Sequence, residues 1–211
     1  MAKKFIMTYT LVIASYKYGH LGAHAIESAL SQNKKFDKIL FVDDGVGDCA
    51  HLPLLYPQVE FILRKENLGT VLNFQDMLNK VETDMVIFLG ADNWLRSDAL
   101  ELLSNSMANV VTYDIMVTGE LKNEIYQFFS NDMKKNQGDW HWERYYKHHG
   151  SMMYNVKMAK ELGGYEHNRT STRTDEDLNL WDKFINANAT LGYVNQPLLY
   201  YRRHKENFNK Y

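Results

Sequence analysis

The chain has a single cysteine, Cys49, and only three prolines, at positions 53, 57 and 197, among 211 residues. One thiol excludes an internal disulfide and suits a reducing compartment. Three scattered prolines leave no proline-rich linker that would divide the chain. No apolar run approaches the ~18 residues of a membrane span. Behind Lys3 and Lys4 there is no long apolar stretch of a secretory signal. Formal net charge is −2, so no broad cationic surface for nucleic acid is expected. These absences together point to the cytoplasm, in solution or at a membrane surface. Glycine-rich phosphate loops are also missing. No G-x-G-x-x-G follows the first strand, no G-x-x-x-x-G-K-[ST] occurs, and there is no G-x-S-x-G elbow. A bound phosphate would have to be neutralised by a metal, by Arg or Lys, or by both.

What is present is ordinary in bulk and patterned in detail. Apolar residues make up 45% and charged residues 24%, the balance of a globular protein. The first half alternates strand and helix. Thr8 to Ala14, Lys38 to Val42, Val59 to Leu63 and Met85 to Leu89 read as strands. Leu21, Ala25, Ile26, Ala29 and Leu30 recur at helical spacing, as do Val71, Phe74, Leu78 and Val81. Ser97 reads as the N-cap of a further helix with Leu100 and Leu103 inward. This alternation predicts an α/β fold with a mostly parallel sheet flanked by helices. The second half breaks the pattern. Strands are expected at 110–117, 151–155 and 191–201, with helices before Leu162-Gly163-Gly164 and over 176–187. A single domain over 1–211 is the simplest organisation. Residues 1–106 would form a nucleotide-binding half, and 107–211 a smaller mixed half.

Loops 15–19, 43–48 and 90–94 would share the carboxyl edge of the sheet, where open α/β folds bind ligands. Asp92, followed by Asn93, ends a buried strand there, and such a carboxylate can hold a hard cation against a phosphate. Asp43-Asp44-Gly45 reads either as a turn or as an acceptor for a base N–H, and local pattern does not separate the two. Thr174-Asp175-Glu176-Asp177 opens a helix, where acids favour the first turn; one of them could also act as a general base. Arg202, Arg203 and His204 end the last strand and suit phosphate or metal. His141, His148 and His149 match no zinc spacing.

Several segments, in order, resemble the inverting family-2 glycosyltransferases with a GT-A (Rossmann-like) fold. Ala14-Ser15-Tyr16-Lys17 resembles the family's Pro-Thr-Tyr-Asn segment, and Phe41-Val42-Asp43-Asp44-Gly45 its Val-Asp-Asp-Gly uracil-binding turn. Asn67-Leu68-Gly69 with Asn73 resembles its Asn-x-Gly and downstream Asn. Leu89-Gly90-Ala91-Asp92-Asn93 resembles the Asp-x-Asp metal segment, with Gly90 in place of the first Asp. Leu162-Gly163-Gly164-Tyr165 resembles the Gly-Gly-Phe before the acceptor site, and Glu176-Asp177 the Glu-Asp base motif. Leu198 to His204 resembles the closing Leu-x-Tyr-Arg-x-His.

The resemblance implies metal-assisted transfer of a sugar from a nucleotide-diphospho-sugar, a UDP-sugar first, to a glycan or other hydroxyl acceptor. It implies Asp177 as catalytic base and Mn²⁺ or Mg²⁺ on Asp92 and His204. Donor contacts are expected from Ala14, Ser15, Tyr16, Asp43, Asp44, Asn67, Gly69, Asn73, Ala91, Asp92 and Arg203. The segment 122–149, with Trp140, Trp142, Tyr145 and Tyr146, is expected to shape the acceptor side. A nucleotidyltransferase and a non-catalytic nucleotide-sugar-binding module stand as alternatives. The first would need a basic glycine-rich loop after strand one, where Ser15-Tyr16-Lys17-Tyr18-Gly19 offers one Gly and one Lys.

Overall fold

Three parallel pairings build the first half of the sheet in the computed structural model, which describes residues 6–119, 124–126, 151–166 and 176–207. Strand β1 (Tyr9–Ser15) lies between β2 (Lys38–Asp43) and β4 (Met85–Gly90), and β3 (Glu60–Leu63) pairs with the outer side of β2. Beta-branched and other apolar residues run almost unbroken along β1 and β4, as central strands covered on both faces require.

Side chains on alternate faces feed two separate cores. On one face Leu11, Ile13, Phe41, Ile87 and Leu89 pack under helix α1 (Gly19–Leu30) and the short α4 (Ala99–Leu103). On the other, Val12, Leu40, Val42, Val86 and Phe88 pack under α3 (Thr70–Lys80), α5 (Val156–Glu161) and α6 (Glu176–Asn186). Helix α6 brings Leu180, Trp181 and Phe184, all essentially inaccessible, and Phe184 meets Tyr154 at 5.5 Å between ring centroids. A single turn, α2 (Leu52–Leu55), follows the loop after β2.

The second half extends the same sheet with mixed polarity. β8 (Met152–Asn155) runs antiparallel to β4 and to β6 (Val110–Gly119). β9 (Leu191–Arg203) runs parallel to β6, with register shifts around Asp114. Besides α2, two short strands lie outside the elements read from the sequence. β5 (Trp94–Leu95) pairs with β9 at Tyr200 and Leu199, and β7 (Glu124–Tyr126) pairs with β6. Both are too short for a periodic signal. The strand order is β3-β2-β1-β4-β8-β6-β9-β5. Among the described residues no helix is long and apolar enough to cross a membrane.

The expected N-cap of α4 moves by one residue. Asp98 holds that position without a side-chain cap, because Arg96 takes both of its carboxylate oxygens. Ser97 instead uses its carbonyl to accept the Asn33 N–H at 2.7 Å.

Phe184→Ala empties space in the core that joins α6 to the sheet. The expected loss is about 3–5 kcal/mol in urea unfolding. A loss below ~1 kcal/mol, within the range of a surface substitution, would contradict the packing of α6 against β8.

Candidate active site

The chain reverses direction across the sheet at β1. It moves outward through β2 and β3, then returns to the other side of β1 as β4. Such a switch point opens a crevice at the carboxyl ends of the strands. Register sets Ser15 beside Asp43 and Ala14 beside both Val42 and Gly90. Two backbone bonds then fasten the neighbouring loops to β1. The Asp44 N–H donates to the Ser15 carbonyl and the Ala91 N–H to the Ala14 carbonyl, each at 2.9 Å. Ala14, Ser15, Asp43, Asp44, Ala91 and Asp92 thus meet at one edge. Tyr16, 43% exposed, follows them into solvent with the Lys17 ammonium 4.9 Å from its ring centroid.

The paired carboxylates of the β2 loop divide their work. Asp43 is fully buried and closes its own turn, accepting from Val46 N–H at 3.1 Å and Gly47 N–H at 2.8 Å. Asp44 reaches the next loop, accepting from Leu68 N–H at 3.0 Å and from the Asn67 amide at 3.1 Å. That approach dictates Gly45: its φ is +82°, and a Cβ there would lie 2.4 Å from the Asn67 nitrogen. Gly69 begins α3 with φ +75° and accepts the Asn73 N–H. Arg64 joins these pieces. Its guanidinium donates to Asn73 Oδ1 at 3.1 Å, pairs with Asp76, and lies 3.6 Å from Asp44 Oδ1. Burial pushes the Asp76 carboxyl up, but Arg64 and Lys80 outweigh it and hold the group below its usual value.

Asp92 stands at the end of the β4 turn, only 6% exposed. His204 Nε2 lies 3.2 Å from its Oδ2, and the Asn207 amide donates to the same oxygen at 3.1 Å. Arg202 donates to the Asp92 carbonyl at 2.9 Å, and its own N–H donates to Asn93 Oδ1 at 2.9 Å. The Arg202 guanidinium also covers Trp94, whose ring stacks between His24 and Tyr200. Burial raises the Asp92 carboxyl above its ordinary value, and the His204 contact opposes that rise. Arg203 lies over the Tyr201 ring at 5.2 Å. With His20, His204 and Lys205 it lines an open cavity of about 350 Å³ beside Asp92. A larger concavity of about 450 Å³ lies elsewhere, lined by Phe36, Asp37, Lys38 and Glu60, and none of the expected site residues line it.

Two clusters offer metal-ligating atoms. Asp43, Asp48 and Cys49 bring ligand atoms within 4.8 Å of one another. These groups are already engaged with the protein. Asp43 holds its turn, Asp48 accepts the Gly19 N–H at 2.9 Å, and burial pushes the Cys49 thiol up to about 12, keeping it protonated. A protonated thiol suits neither Mg²⁺ nor Mn²⁺. Asp92 and His204 fit better. Two ligands about 2.1 Å from one octahedral ion stand about 3.0 Å apart, close to the 3.2 Å between Asp92 Oδ2 and His204 Nε2. Carboxylate and imidazole are both acceptable donors for such an ion.

Asp177 lies in the first turn of α6, and its side chain falls outside the described residues. So do Arg169, Arg173, Thr174 and Asp175, and the aromatic positions Trp140, Trp142, Tyr145 and Tyr146. Arg64 and Asn207 were not singled out from the sequence. A lone Arg after a short strand and an Asn near the chain end carry no local signal. Arg202, expected to suit phosphate or metal, instead holds the Asp92 carbonyl and Asn93.

Comparison with known proteins gives a family and a set of folds. The sequence model described as glycosyl transferase family 2 matches residues 10–163. No curated protein matches the chain. Residues 1–349 of S. aureus TarS, in complex with UDP-GlcNAc, share the fold at a TM-score of 0.74 and 12% identity, covering 95% of this chain and 60% of that one. The complex with UDP gives 0.72 and 13%, covering 96% and 62%. S. aureus TarS in a longer form gives 0.72 and 13%, covering 96% and 38%. The chain therefore spans about 60% or less of the length of these structures.

The raised Asp92 carboxyl has a measurable consequence. Its native proton affinity exceeds that of the unfolded chain, whose ordinary value is 3.8. Proton binding thus favours the fold at low pH, and that contribution is lost as pH rises through the native value. Asp92→Asn removes the buried charge and keeps the shape. The expected outcome is a higher melting temperature than the parent at pH 7, with the gain vanishing below about pH 3.8. Equal melting temperatures at pH 7 would mean that His204 fully offsets the desolvation.

Proposed function

The chain belongs to glycosyl transferase family 2, and from that membership we propose that it transfers a sugar from a UDP-sugar to an acceptor hydroxyl with inversion. The observation that carries this reading is the meeting of Asp44 and the Asp92–His204 pair at one sheet edge, fastened through Ser15 and Ala14. The UDP-GlcNAc and UDP held by similar solved structures support a uridine diphosphate donor.

In this reading residues 1–106 hold the nucleotide and 107–211 face the acceptor. Asp44, backed by Arg64 and Asn67, accepts an N–H from the base. Ala14, Ser15 and Tyr16 line the base and ribose, while Asp43, Gly69 and Asn73 keep the surrounding loops in place. Ala91 and Arg203 border the diphosphate. Asp92 and His204 are the residues that would hold Mn²⁺ or Mg²⁺, which supplies Lewis-acid stabilisation to the leaving diphosphate. Asp177 removes the acceptor hydroxyl proton. The acceptor oxygen forms its bond to the anomeric carbon as the bond from that carbon to the phosphate oxygen breaks. The electron pair leaves with UDP, and attack from the opposite face inverts the centre.

Asp177→Asn tests the base assignment. Transfer should fall by about 10²–10⁴-fold, the range for a lost general base, while the UDP-induced rise in melting temperature with Mn²⁺ stays within error of the parent. Loss of both would place Asp177 in donor binding instead. If no nucleotide sugar raises the parent's melting temperature with Mn²⁺, the donor reading fails, since a ligand of the native state must stabilise it.

A further inference from the structure

The His204 and Asn207 contacts to the Asp92 carboxylate both fall on Oδ2. At position 90 a Cβ would lie 2.7 Å from Asp92 Oδ1 and 2.9 Å from the Asn93 amide nitrogen. The Asp92 and Asn93 side chains therefore fill the space that a side chain at position 90 would take. An isolated carboxylate paired with an imidazole from a distant strand needs another device to fix its torsion, because a displacement of under 1 Å disrupts a chelating pair.

Asn207 occupies that role geometrically. It is 6% exposed. Its amide nitrogen donates to Asp92 Oδ2 at 3.1 Å and to the Arg202 carbonyl at 3.0 Å. Its amide oxygen accepts the His204 N–H at 2.7 Å. The partners fix the amide orientation, since two acceptors face the nitrogen and one donor faces the oxygen. One side chain thus touches both halves of the candidate metal pair. The turn that carries it is held against the N-terminus of α1. Tyr18 donates its hydroxyl to the Glu206 carbonyl at 2.9 Å, and its ring meets His204 edge-on at 5.4 Å. A carboxylate oxygen has two lone pairs, so Asp92 Oδ2 can ligate an ion with one and keep the Asn207 N–H on the other.

We propose that Asn207 is the positioning residue of the metal site, holding Asp92 and His204 in chelating register where position 90 supplies no second carboxylate. The proposal rests on the reading of Asp92 and His204 as metal ligands. Outer partners of metal ligands commonly carry 10–100-fold in affinity. No carboxylate could take the place of Asn207 unchanged, since it would lack the N–H that Asp92 receives. A carboxylate would instead become an additional ligand once an ion is present.

The test measures Mn²⁺ binding to the full chain, with and without UDP, by the loss of the free-ion electron paramagnetic resonance signal. Asn207→Ala should weaken Mn²⁺ binding by at least 10-fold. In the Asp92→Ala background the same change should weaken the remaining binding by less than 2-fold, because the residue acts through Asp92. A purely structural Asn207 would lower the melting temperature and leave Mn²⁺ affinity within 2-fold of the parent, which overturns the proposal. Full additivity with Asp92→Ala overturns it as well. Should Asn207→Ala fail to fold, Asn207→Asp keeps the shape. Its melting temperature should rise further on adding Mn²⁺ than the parent's does, and a rise no larger than the parent's overturns the proposal. A parent that binds no Mn²⁺ with UDP removes the metal reading and this one together. A parent that binds while Asn207 variants match it removes this one alone.

Discussion

Two hydrogen bonds at the end of β1 organise the site. Ser15 and Ala14 present carbonyls to opposite neighbours, and the Asp44 and Ala91 N–H groups close on them. Each bond satisfies a buried backbone pair that would otherwise be costly to leave unmade. Their effect is positional. They draw the loops after β2 and β4 together across the switch point, so carboxylates distant in sequence share one sheet edge. Everything described around Asp44 and Asp92 depends on that junction.

The three carboxylates gathered there are buried, and burial of charge is costly without partners. Each solves the problem differently. Asp43 accepts two backbone N–H groups and spends its charge on a turn. Asp44 takes a backbone N–H, a side-chain amide and the nearby Arg64. Asp92 meets an imidazole and an amide donor with Arg202 nearby, yet burial raises its carboxyl. Arg202 secures the same region from behind, joining the Asp92 carbonyl, Asn93, His24 and Trp94.

Much of this was legible in the chain. The strands at 38–42 and 85–89 lie within one residue of β2 and β4 because unbroken apolar runs bounded by polar turns leave little freedom. The ambiguity of Asp43-Asp44 could not be resolved locally. Which carboxylate closes a turn depends on Val46, Gly47, Asn67 and Leu68 approaching in space. The cap position fell to Asp98 rather than Ser97, and Arg96 takes its carboxylate, a side-chain choice that propensity does not encode. Arg64 and Asn207 stayed invisible because their partners lie on other elements, Asn73 at 9 positions from Arg64 and Asp92 at 115 from Asn207.

Hydrophobic periodicity and turn chemistry by themselves determined the parallel half of the sheet, the helices that cover it, and the edge on which ligands would gather. Those are local signals, written by alternation, β-branching and glycine. Tertiary structure alone decided which side chains face one another across that edge. It set Arg202 rather than a loop residue behind Asp92, brought Asn207 onto its carboxylate, and filled the space beside Gly90 with Asp92 and Asn93. Such contacts arise from the register of β9 and the twist of a mixed sheet, which fix distances between segments that share no sequence pattern.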